Sequence, residues 1–214
     1  MHNKPDSATK EIAYKLLDQE LFSNNGKFQW EIGKTYTIEK PGNKMCSSEV
    51  FHCYNHPILA VLLNPLHGNI ENPRLFEIEV PEFCNNDGLK YASKSQTLIK
   101  EIPLPDISDN QRIEFAIKVV KLVRNYNDYP EWNAWADRWL NGEDQSNNAA
   151  WSTMLLLSID DPAYGVAQTV HWYGWDKKYA IQSSLKAVRR ALHIYKNNCF
   201  VVKNEDLIEI AETL

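Results

Sequence analysis

The hydrophobic periodicity of the chain changes at residues 103–106. Before this point, apolar residues and glutamates alternate over residues 75–80, as expected for a strand with one buried face. After it, apolar residues recur at helical spacing, beginning with a broad apolar run at residues 113–123. Strands followed by helices predict an α+β fold, in which a small, mainly antiparallel sheet at residues 12–102 packs with a helical bundle at residues 109–196.

The same boundary predicts two domains. Residues 1–106 are expected to form a small sheet-containing domain. Residues 107–214 are expected to form a helical bundle with a short terminal strand and a terminal helix. Prolines at positions 103 and 105 make this boundary a natural linker, because proline removes a backbone donor and restricts the preceding residue.

Strand-like segments open the first domain. Residues 12–17 fit a strand or a helix by periodicity alone, and we interpret them as a strand. Residues 28–32 then alternate before Gly33, and residues 36–39 continue in the same style. Residues 12–40 therefore predict one strand followed by a hairpin.

One helix is predicted inside the first domain. The pair His56-Pro57 marks its start, since proline is tolerated in the first helical turn, and Asn64-Pro65 marks its end. Residues 83–96 predict a polar connection, and Thr97 to Ile102 predict one more strand.

Capping residues and breakers predict the helices of the second domain. Their predicted starts are Asp109, Pro130, Ser146, Asp161, Asp176 and Asn204. The first is expected to end near Asn127, and the third to run through Leu157. An edge strand is expected at Phe200 to Val202.

The net charge of −5 is spread evenly along the chain. Residues 1–106 carry 11 basic and 14 acidic groups, and residues 107–214 carry 12 and 14. The densest basic pairs, Lys177-Lys178 and Arg189-Arg190, are interpreted as solvated helix faces, so nucleic-acid binding is not expected. No apolar run approaches the roughly 20 residues that span a bilayer, and the polar start lacks a signal-peptide core. We therefore expect a cytoplasmic protein without a membrane partner.

Several short motifs of the first domain resemble one family. They are Tyr14-Lys15, the segment Phe28 to Tyr36, Cys46, Phe51-His52-Cys53 and Glu77 to Val80. Over residues 12–82 the chain resembles a small domain of unknown function found in phage and prophage proteins, although Val50 stands where that family has glycine. The resemblance implies a phage or other mobile-element setting and no catalytic residue.

The second domain carries a looser resemblance. Trp135-Ala136, Trp139-Leu140, Gly142 and Ala149-Ala150 are similar to elements of alanine-rich helical bundles in phage and immunity-type proteins. This resemblance also implies a genomic setting rather than a chemistry.

Cysteine and histidine residues in the first domain raise the question of a metal or thiol site. Cys46, His52, Cys53, His56 and Cys84 are ligand types suited to zinc, but only Cys53 and His56 form a closely spaced pair. On a strand, the neighbours His52 and Cys53 would point to opposite faces. A thiol nucleophile at Cys46 or Cys53, activated by His52 or His56, is a second alternative. We predict no metal and no cofactor, and expect the thiols to be buried and reduced.

An enzymatic alternative rests on the order of elements around Phe51 to Tyr54. A strand, a helix and a later strand with glutamates are similar to the split sheet of ADP-ribosyltransferases, which bind a nicotinamide nucleotide. That resemblance implies roles for Tyr14, His52 and Glu79, with Tyr54 as a further candidate. Alternating glutamates are also typical of a solvated sheet face.

Tryptophans of the second domain supply the candidate binding residues. Trp132, Trp135 and Trp139 share one helical stripe, which favours core packing. Trp172 and Trp175, beside the break at Gly174, are the candidates for an exposed binding surface. We therefore predict a protein that binds a host or phage protein, such as a host defence factor. The alternative is the ADP-ribosyltransferase-like enzyme, and the oligomeric state stays open.

Overall fold

The chain folds into two compact units. The computed structural model describes residues 10–23, 26–40, 42, 44–45, 47–123, 129–173, 176–197 and 203–214, without the side chains of residues 178 and 193–197. The first unit, which we call the sheet unit, comprises Met1–Asn64 and Gly68–Pro105. The second, the helical unit, comprises Pro65–His67 and Asp106–Leu214.

The strands precede most of the helices, so the predicted α+β class is confirmed. The strands are β1 (Glu11–Leu17), β2 (Phe22–Ser23), β3 (Phe28–Gln29), β4 (Thr35–Thr37), β5 (Phe51–Cys53), β6 (Arg74–Val80), β7 (Phe83–Asn86), β8 (Tyr91–Ser93) and β9 (Ser95–Ile102). The helices are α1 (Pro57–His67), α2 (Asp109–Val123), α3 (Pro130–Leu140), α4 (Asn147–Met154), α5 (Pro162–Trp172), α6 (Lys177–Asn197) and α7 (Asn204–Glu212). Within the described ranges, none of these helices is both long and apolar enough to span a bilayer.

A four-stranded antiparallel sheet forms the centre of the sheet unit. Its strand order is β1-β6-β9-β4, and β1 is paired with β6 along its whole length. Phe76, Ile78 and Val80 of β6 are fully buried, whereas Glu77 and Glu79 between them are half-buried. The alternation that predicted this strand therefore reports the two faces of the sheet correctly.

The predicted hairpin around Gly33 does not form. Gly33 does lie in a turn, with φ of 81°, but β3 pairs with β2 and β4 pairs with β9. Trp30 between them is 1% exposed and sits in the core. The two segments pair with different strands, β3 with the preceding β2 and β4 with the distant β9, although their aromatic side chains still pack against one another.

Two strands lie in the segment predicted as a polar connection. β7 and β8 form a second antiparallel sheet with β5, in the order β5-β8-β7. β7 pairs with its sequence neighbour β8, and β8 also pairs with β5 about 40 residues upstream, with Phe51 opposite Ser93. The prediction of a polar connection at residues 83–96 is therefore wrong, because the pairing of β8 with β5 cannot be seen in the local sequence.

Helix α1 starts as predicted and ends later than predicted. It begins at Pro57 with His56 as its cap residue, but continues through Pro65 to His67. Pro65 removes one N–H donor, a loss that a helix tolerates close to its end. The N–H groups of Gly68 and Asn69 then donate to the Asn64 carbonyl oxygen, at 2.9 and 2.6 Å, and close the helix.

The helical unit is built around α2, whose broad apolar face is buried from Ile113 to Val120. Helix α5 approaches α6 closely at Gly165, where an added Cβ would lie 3.0 Å from the Ala187 Cβ. The predicted caps at Ser146 and Asp161 are present, accepting from the N–H groups of Ala149 and Ala163. Polar caps on short connections hold these helices in a compact bundle.

Two boundaries of the helical unit differ from the prediction. The hydroxyl of Ser108, rather than Asp109, accepts the N–H of Gln111 at the start of α2. Helix α4 ends at Met154 rather than Leu157, because the N–H groups of the next three residues close a turn onto it. The predicted strand at residues 200–202 and the predicted end near residue 127 lie outside the described residues.

Candidate functional site

Tyr14 and Glu79, two of the three candidate enzymatic residues, share one face of the central sheet. Tyr14 lies opposite Glu77, and Glu79 lies opposite Ile12 two residues away. Both belong to the face turned away from Phe76. The Glu79 carboxylate is 2.6 Å from the Lys10 Nζ, and both side chains reach solvent. This arrangement is typical of an ion pair on a solvated sheet face.

His52, the third candidate, is joined to this face through backbone pairing. Tyr14 and Tyr54 exchange both backbone hydrogen bonds, at 2.7 and 2.9 Å, so the end of β5 runs along the free edge of β1. His52 precedes Tyr54 by two residues and therefore points to the same side. Burial, followed by the charges of Lys90 and Lys15, lowers the pKa of His52 to about 4. The imidazole is neutral at neutral pH.

Lys15, which belongs to the motif Tyr14-Lys15, is buried, and its burial was not predicted. Its side chain is on the core face of β1 between Ala13 and Leu17, opposite Phe76, and it is 7% exposed. The ammonium donates to the backbone oxygen of His52. Burial lowers the pKa of Lys15 to about 8, an effect that Cys53 opposes and Lys90 reinforces.

An aromatic cluster contacts this lysine through Trp30. It consists of Phe28, Trp30, Tyr36 and Phe51, whose neighbouring rings meet edge to face with centroids 5.0 to 5.4 Å apart. The Lys15 Nζ lies 4.7 Å from the Trp30 ring centroid, within the range of a cation–π interaction. The His52 carbonyl oxygen and the Trp30 ring are thus the two partners of the Lys15 ammonium group. Lys15 therefore links β1 to β5 and does not offer an accessible nucleophile.

The sequence contained a pattern that could have predicted the burial of Lys15. Ala13, Lys15 and Leu17 occupy alternate positions of a strand, so a lysine falls on the inward side of an apolar face. What the sequence could not supply was the acceptor, because the His52 carbonyl comes from another strand.

The thiols of the sheet unit are structural in character. The Cys53 thiol is buried and directed at the Tyr91 carbonyl oxygen, 3.8 Å away, and burial raises its pKa to about 12. A protonated thiol is a poor nucleophile, which argues against a catalytic Cys53. Cys53 and Cys84 are free thiols, and Cys46 lies outside the described residues. Among the residues that the structure describes, no three His, Cys, Asp or Glu side chains are grouped as metal ligands.

The tryptophans of α3 are core residues, as interpreted. Trp132, Trp135 and Trp139 are 4% exposed or less. The Trp132 indole N–H donates to the Ala163 carbonyl oxygen at 3.1 Å, which ties α3 to the start of α5. Such enclosed rings stabilise the bundle and are not available to a partner.

An exposed apolar surface does exist in the helical unit. Trp172, a candidate binding residue, is 38% exposed, whereas Trp175 lies outside the described residues. The Trp172 ring is 5.4 Å from the His171 ring, which is 4.7 Å from the Trp151 ring of α4. Leu155 follows Trp151 by one helical turn and is 65% exposed.

Two further exposed apolar residues follow the end of α4 in the sequence. Leu156 and Ile159 are 62% and 66% exposed. We call the whole surface the α4 strip and define it by Trp151, Leu155, Leu156, Ile159, His171 and Trp172. Residues 146–159 contain no charged side chain. We take the strip as the candidate interaction surface, since large exposed apolar patches are typical of such surfaces.

The strip is held outward by the packing beneath it. Helix α4 buries Ala150, Thr153 and Met154, which places Trp151 beside the buried face. The N–H groups of Leu155 and Leu156 are bonded to the carbonyl oxygens of Trp151 and Thr153, so the turn after the helix is fixed. The apolar side chains are therefore exposed by a rigid framework.

Charged residues lie at both ends of the strip. Helix α6 contains six Lys and Arg residues and no Asp or Glu. Arg190 donates to the Ile159 carbonyl oxygen at 3.3 Å, at one end of the strip. At the other end, the Lys177 Nζ lies 5.3 Å from the ring centroid of Tyr173, next to Trp172. Exposed Asp160 and Asp176 neighbour the same two ends, so each end carries charge of both signs.

A comparison with known protein families finds one match, which covers the sheet unit. Residues 11–110 match the family model of DUF7666, a domain of unknown function. No curated protein and no solved structure is significantly similar to the chain. The match agrees with the expected resemblance to a domain of unknown function and is longer than the expected residues 12–82. The longer extent is physically reasonable, because β6 needs β9 and β5 needs β8 to complete their sheets.

The segment that matches the DUF7666 model contains the buried Lys15 but not the α4 strip. It runs from β1 to the second residue of α2, so it includes Lys15 and the aromatic cluster. The α4 strip and α6 follow it in the sequence. The buried lysine and the α4 strip therefore lie in different parts of the sequence and differ in exposure.

Proposed function

We propose that the chain acts by binding another protein through the α4 strip. The observation that supports this proposal is the exposure of Leu155, Leu156 and Ile159, each about two-thirds accessible, beside two accessible indoles. Covering each of these aliphatic side chains would contribute about 1 to 2 kcal/mol. Tryptophan is enriched among residues that dominate binding energy, which assigns the anchoring role to Trp151 and Trp172.

We further propose that the chain belongs to a phage or other mobile element and that its partner is a host or phage protein, such as a host defence factor. The support for this setting is the resemblance of the short motifs between Tyr14 and Val80. A binding role needs no catalytic group, and an exposed, rigid strip is the type of surface that such a role requires.

Quantitative affinity capture from a bacterial lysate tests the binding role. The wild-type chain is compared with the double variant Leu155→Ser and Leu156→Ser. The matched control is Ile12→Ser with Ile32→Ser, since these residues are 50% and 56% exposed in the sheet unit. We expect a stoichiometric complex with the wild type and the control and at least a tenfold loss with the strip variant. Equal capture by all three proteins would overturn the assignment of the strip.

The second candidate function is an ADP-ribosyltransferase-like enzyme using Tyr14, His52 and Glu79. The observation in its favour is that strand pairing puts these three residues on one side of the sheet unit. Incubation with labelled nicotinamide nucleotide and lysate tests it. Label transfer that is lost in Glu79→Ala and retained in Glu77→Ala would support the enzyme, because Glu77 occupies the same face with its own lysine partner, Lys100, at 3.1 Å. Absence of transfer by the wild type would remove this alternative.

A further inference from the structure

We infer that His171 makes binding at the α4 strip depend on pH, so that protonation of its imidazole releases the partner. This inference rests on the proposed binding function and adds the regulation of the same surface. Histidine is the side chain whose charge ordinarily changes between pH 5 and 8. Because His171 belongs to an apolar surface, its charge directly affects what that surface can bind.

His171 contacts both accessible indoles of the strip. Its ring centroid is 4.7 Å from that of Trp151 on α4 and 5.4 Å from that of Trp172, its neighbour on α5. The imidazole is half-buried, whereas both indoles are exposed. These indoles are the residues assigned to anchor the partner. A partner that covers them therefore also removes water from the imidazole that contacts both.

The hydrogen bond of His171 settles which nitrogen takes up the proton. Nδ1 lies 3.3 Å from the backbone oxygen of Asn147, and a carbonyl oxygen can only accept, so Nδ1 carries the hydrogen of the neutral ring. Nε2 is then the basic nitrogen. The bond from Nδ1 to α4 is the same in the neutral and the protonated ring. Protonation thus adds charge to the strip without requiring a change in its framework.

The free and the bound states favour opposite charge states of His171. In the free chain the imidazolium lies against two indole rings and in the last turn of α5, where the helix dipole favours a cation. An apolar partner removes the water around this charge, and that desolvation costs more than a cation–π contact returns. Because the partner disfavours the proton, the proton equally disfavours the partner. Affinity should therefore fall as pH is lowered.

The charged groups around this end of α5 leave the histidine as the group whose charge changes. Helix α4 contributes none, since residues 146–159 contain no charged side chain. From α2, the Asp109 carboxylate accepts the Tyr173 hydroxyl at 2.7 Å, and burial followed by this bond raises the pKa of Tyr173 to about 12. At the start of α6, the Lys177 Nζ lies 5.3 Å from the Tyr173 ring centroid, beside the exposed Asp176. Carboxylates and amines ordinarily keep their charge between pH 5.5 and 8.

The direct test uses an uncharged amphipathic peptide with a leucine stripe, a glutamine polar face and blocked ends, so that only the protein can titrate. Its binding to the full chain is followed by calorimetry at pH 8.0 and pH 5.5. We expect the affinity of the wild type to fall at least about fivefold at pH 5.5, because only the neutral fraction of the histidine is competent to bind. Equal affinity at the two pH values, tighter binding at pH 5.5, or no binding at pH 8.0 and millimolar peptide would overturn the inference.

Two substitutions of His171 separate its charge from its packing. His171→Gln keeps a neutral donor for the Asn147 carbonyl oxygen and should bind the peptide at both pH values as the wild type does at pH 8.0. His171→Lys keeps a positive charge and should bind weakly at both. His67→Gln, which removes the half-buried histidine of α1, is the matched control and should retain the pH dependence of the wild type.

Circular dichroism at both pH values checks that each variant keeps its helix content. A pH dependence that persists in His171→Gln, or that disappears in His67→Gln, would assign the effect to another group and overturn the inference.

Capture from a bacterial lysate distinguishes a failure of this inference from a failure of the proposed function. If capture depends on Leu155 and Leu156 but is equal at pH 8.0 and pH 5.5, the role of His171 is wrong and the binding function stands. If Leu155→Ser with Leu156→Ser captures its partner as well as the wild type does, the binding function itself fails.

Discussion

The sheet unit and the helical unit treat their unusual residues in opposite ways. In the sheet unit a charged side chain, Lys15, is buried, lies over the Trp30 ring and donates to the His52 carbonyl oxygen. In the helical unit apolar side chains, Leu155 and Leu156, are held in solvent by a rigid turn. Enclosing a charge costs stability unless the charge is paired, and exposing an apolar side chain forgoes the gain from burying it. Lys15 thus contributes to joining two strands, whereas the α4 strip is available to a partner.

The largest effect should come from removing the ring at the centre of the aromatic cluster. Trp30→Ala should lower the free energy of unfolding by about 3 to 5 kcal/mol, because the indole is 1% exposed and its removal leaves a cavity. Trp151→Ala, which truncates an exposed indole, should change it by less than about 1 kcal/mol. Urea unfolding measures both. Equal losses would mean that the two units do not differ as described.

Thiol reactivity should separate the enclosed and accessible parts of the sheet unit. With its pKa raised to about 12 from 9.0, Cys53 should have about a thousandfold less thiolate than an ordinary cysteine at pH 8. Alkylation of the native protein, mapped by mass spectrometry, should label the half-buried Cys84 and spare Cys53 until denaturant is added. Prompt labelling of Cys53 in the native state would show that the core around Lys15 opens.

The pH dependence of stability should report the enclosed amine. The pKa of Lys15 in the fold, about 8, lies below its ordinary value of 10.5, so between these values the unfolded chain binds a proton that the folded chain lacks. Stability should therefore rise as pH increases from 8 to 10.5, by at most about 3 kcal/mol.

Lys15→Met is the comparison for that slope. Methionine has a similar length and no charge, so the variant should lose the contribution of Lys15 to the rise. Denaturant unfolding at pH 7.5, 8.5, 9.5 and 10.5, roughly spanning the two pKa values, measures the difference. Parallel curves for the two proteins would contradict the assignment of the rise to Lys15.

The smallest effect on stability should come from the α4 strip. Leu155→Ser with Leu156→Ser should shift the free energy of unfolding by no more than about 0.5 kcal/mol, because both side chains are mostly in solvent. The same change is expected to reduce partner binding strongly. A loss of several kcal/mol in a urea melt would indicate that these leucines belong to the core and not to an interface.

Local patterns in the sequence were sufficient for elements that bury one face. The alternation over residues 75–80 predicted β6 and the orientation of its glutamates. Proline and capping residues predicted the starts of α1, α3, α4 and α5. These signals are local, because periodicity reports which side of an element is buried and a cap bonds within its own first turn.

The candidate site was predictable in part. The sequence indicated Trp172 as an exposed aromatic and the tryptophans of α3 as core. It did not indicate the α4 strip, because Leu155, Leu156 and Leu157 extend the helical pattern of α4 and resemble buried residues. It also assigned Arg189-Arg190 to a solvated face without showing that Arg190 contacts Ile159.

The sequence by itself determined the α+β class, the position of the change from strands to helices, and the buried faces of the regular elements. The tertiary structure alone decided which strands pair, that β3 and β4 separate, that the His52 carbonyl receives the Lys15 ammonium, and that Leu155 stays in solvent. Each of these depends on a partner distant in sequence, or on the lack of a neighbour at a position whose local pattern is apolar. Periodicity specifies that a face is apolar, but only packing decides what covers it.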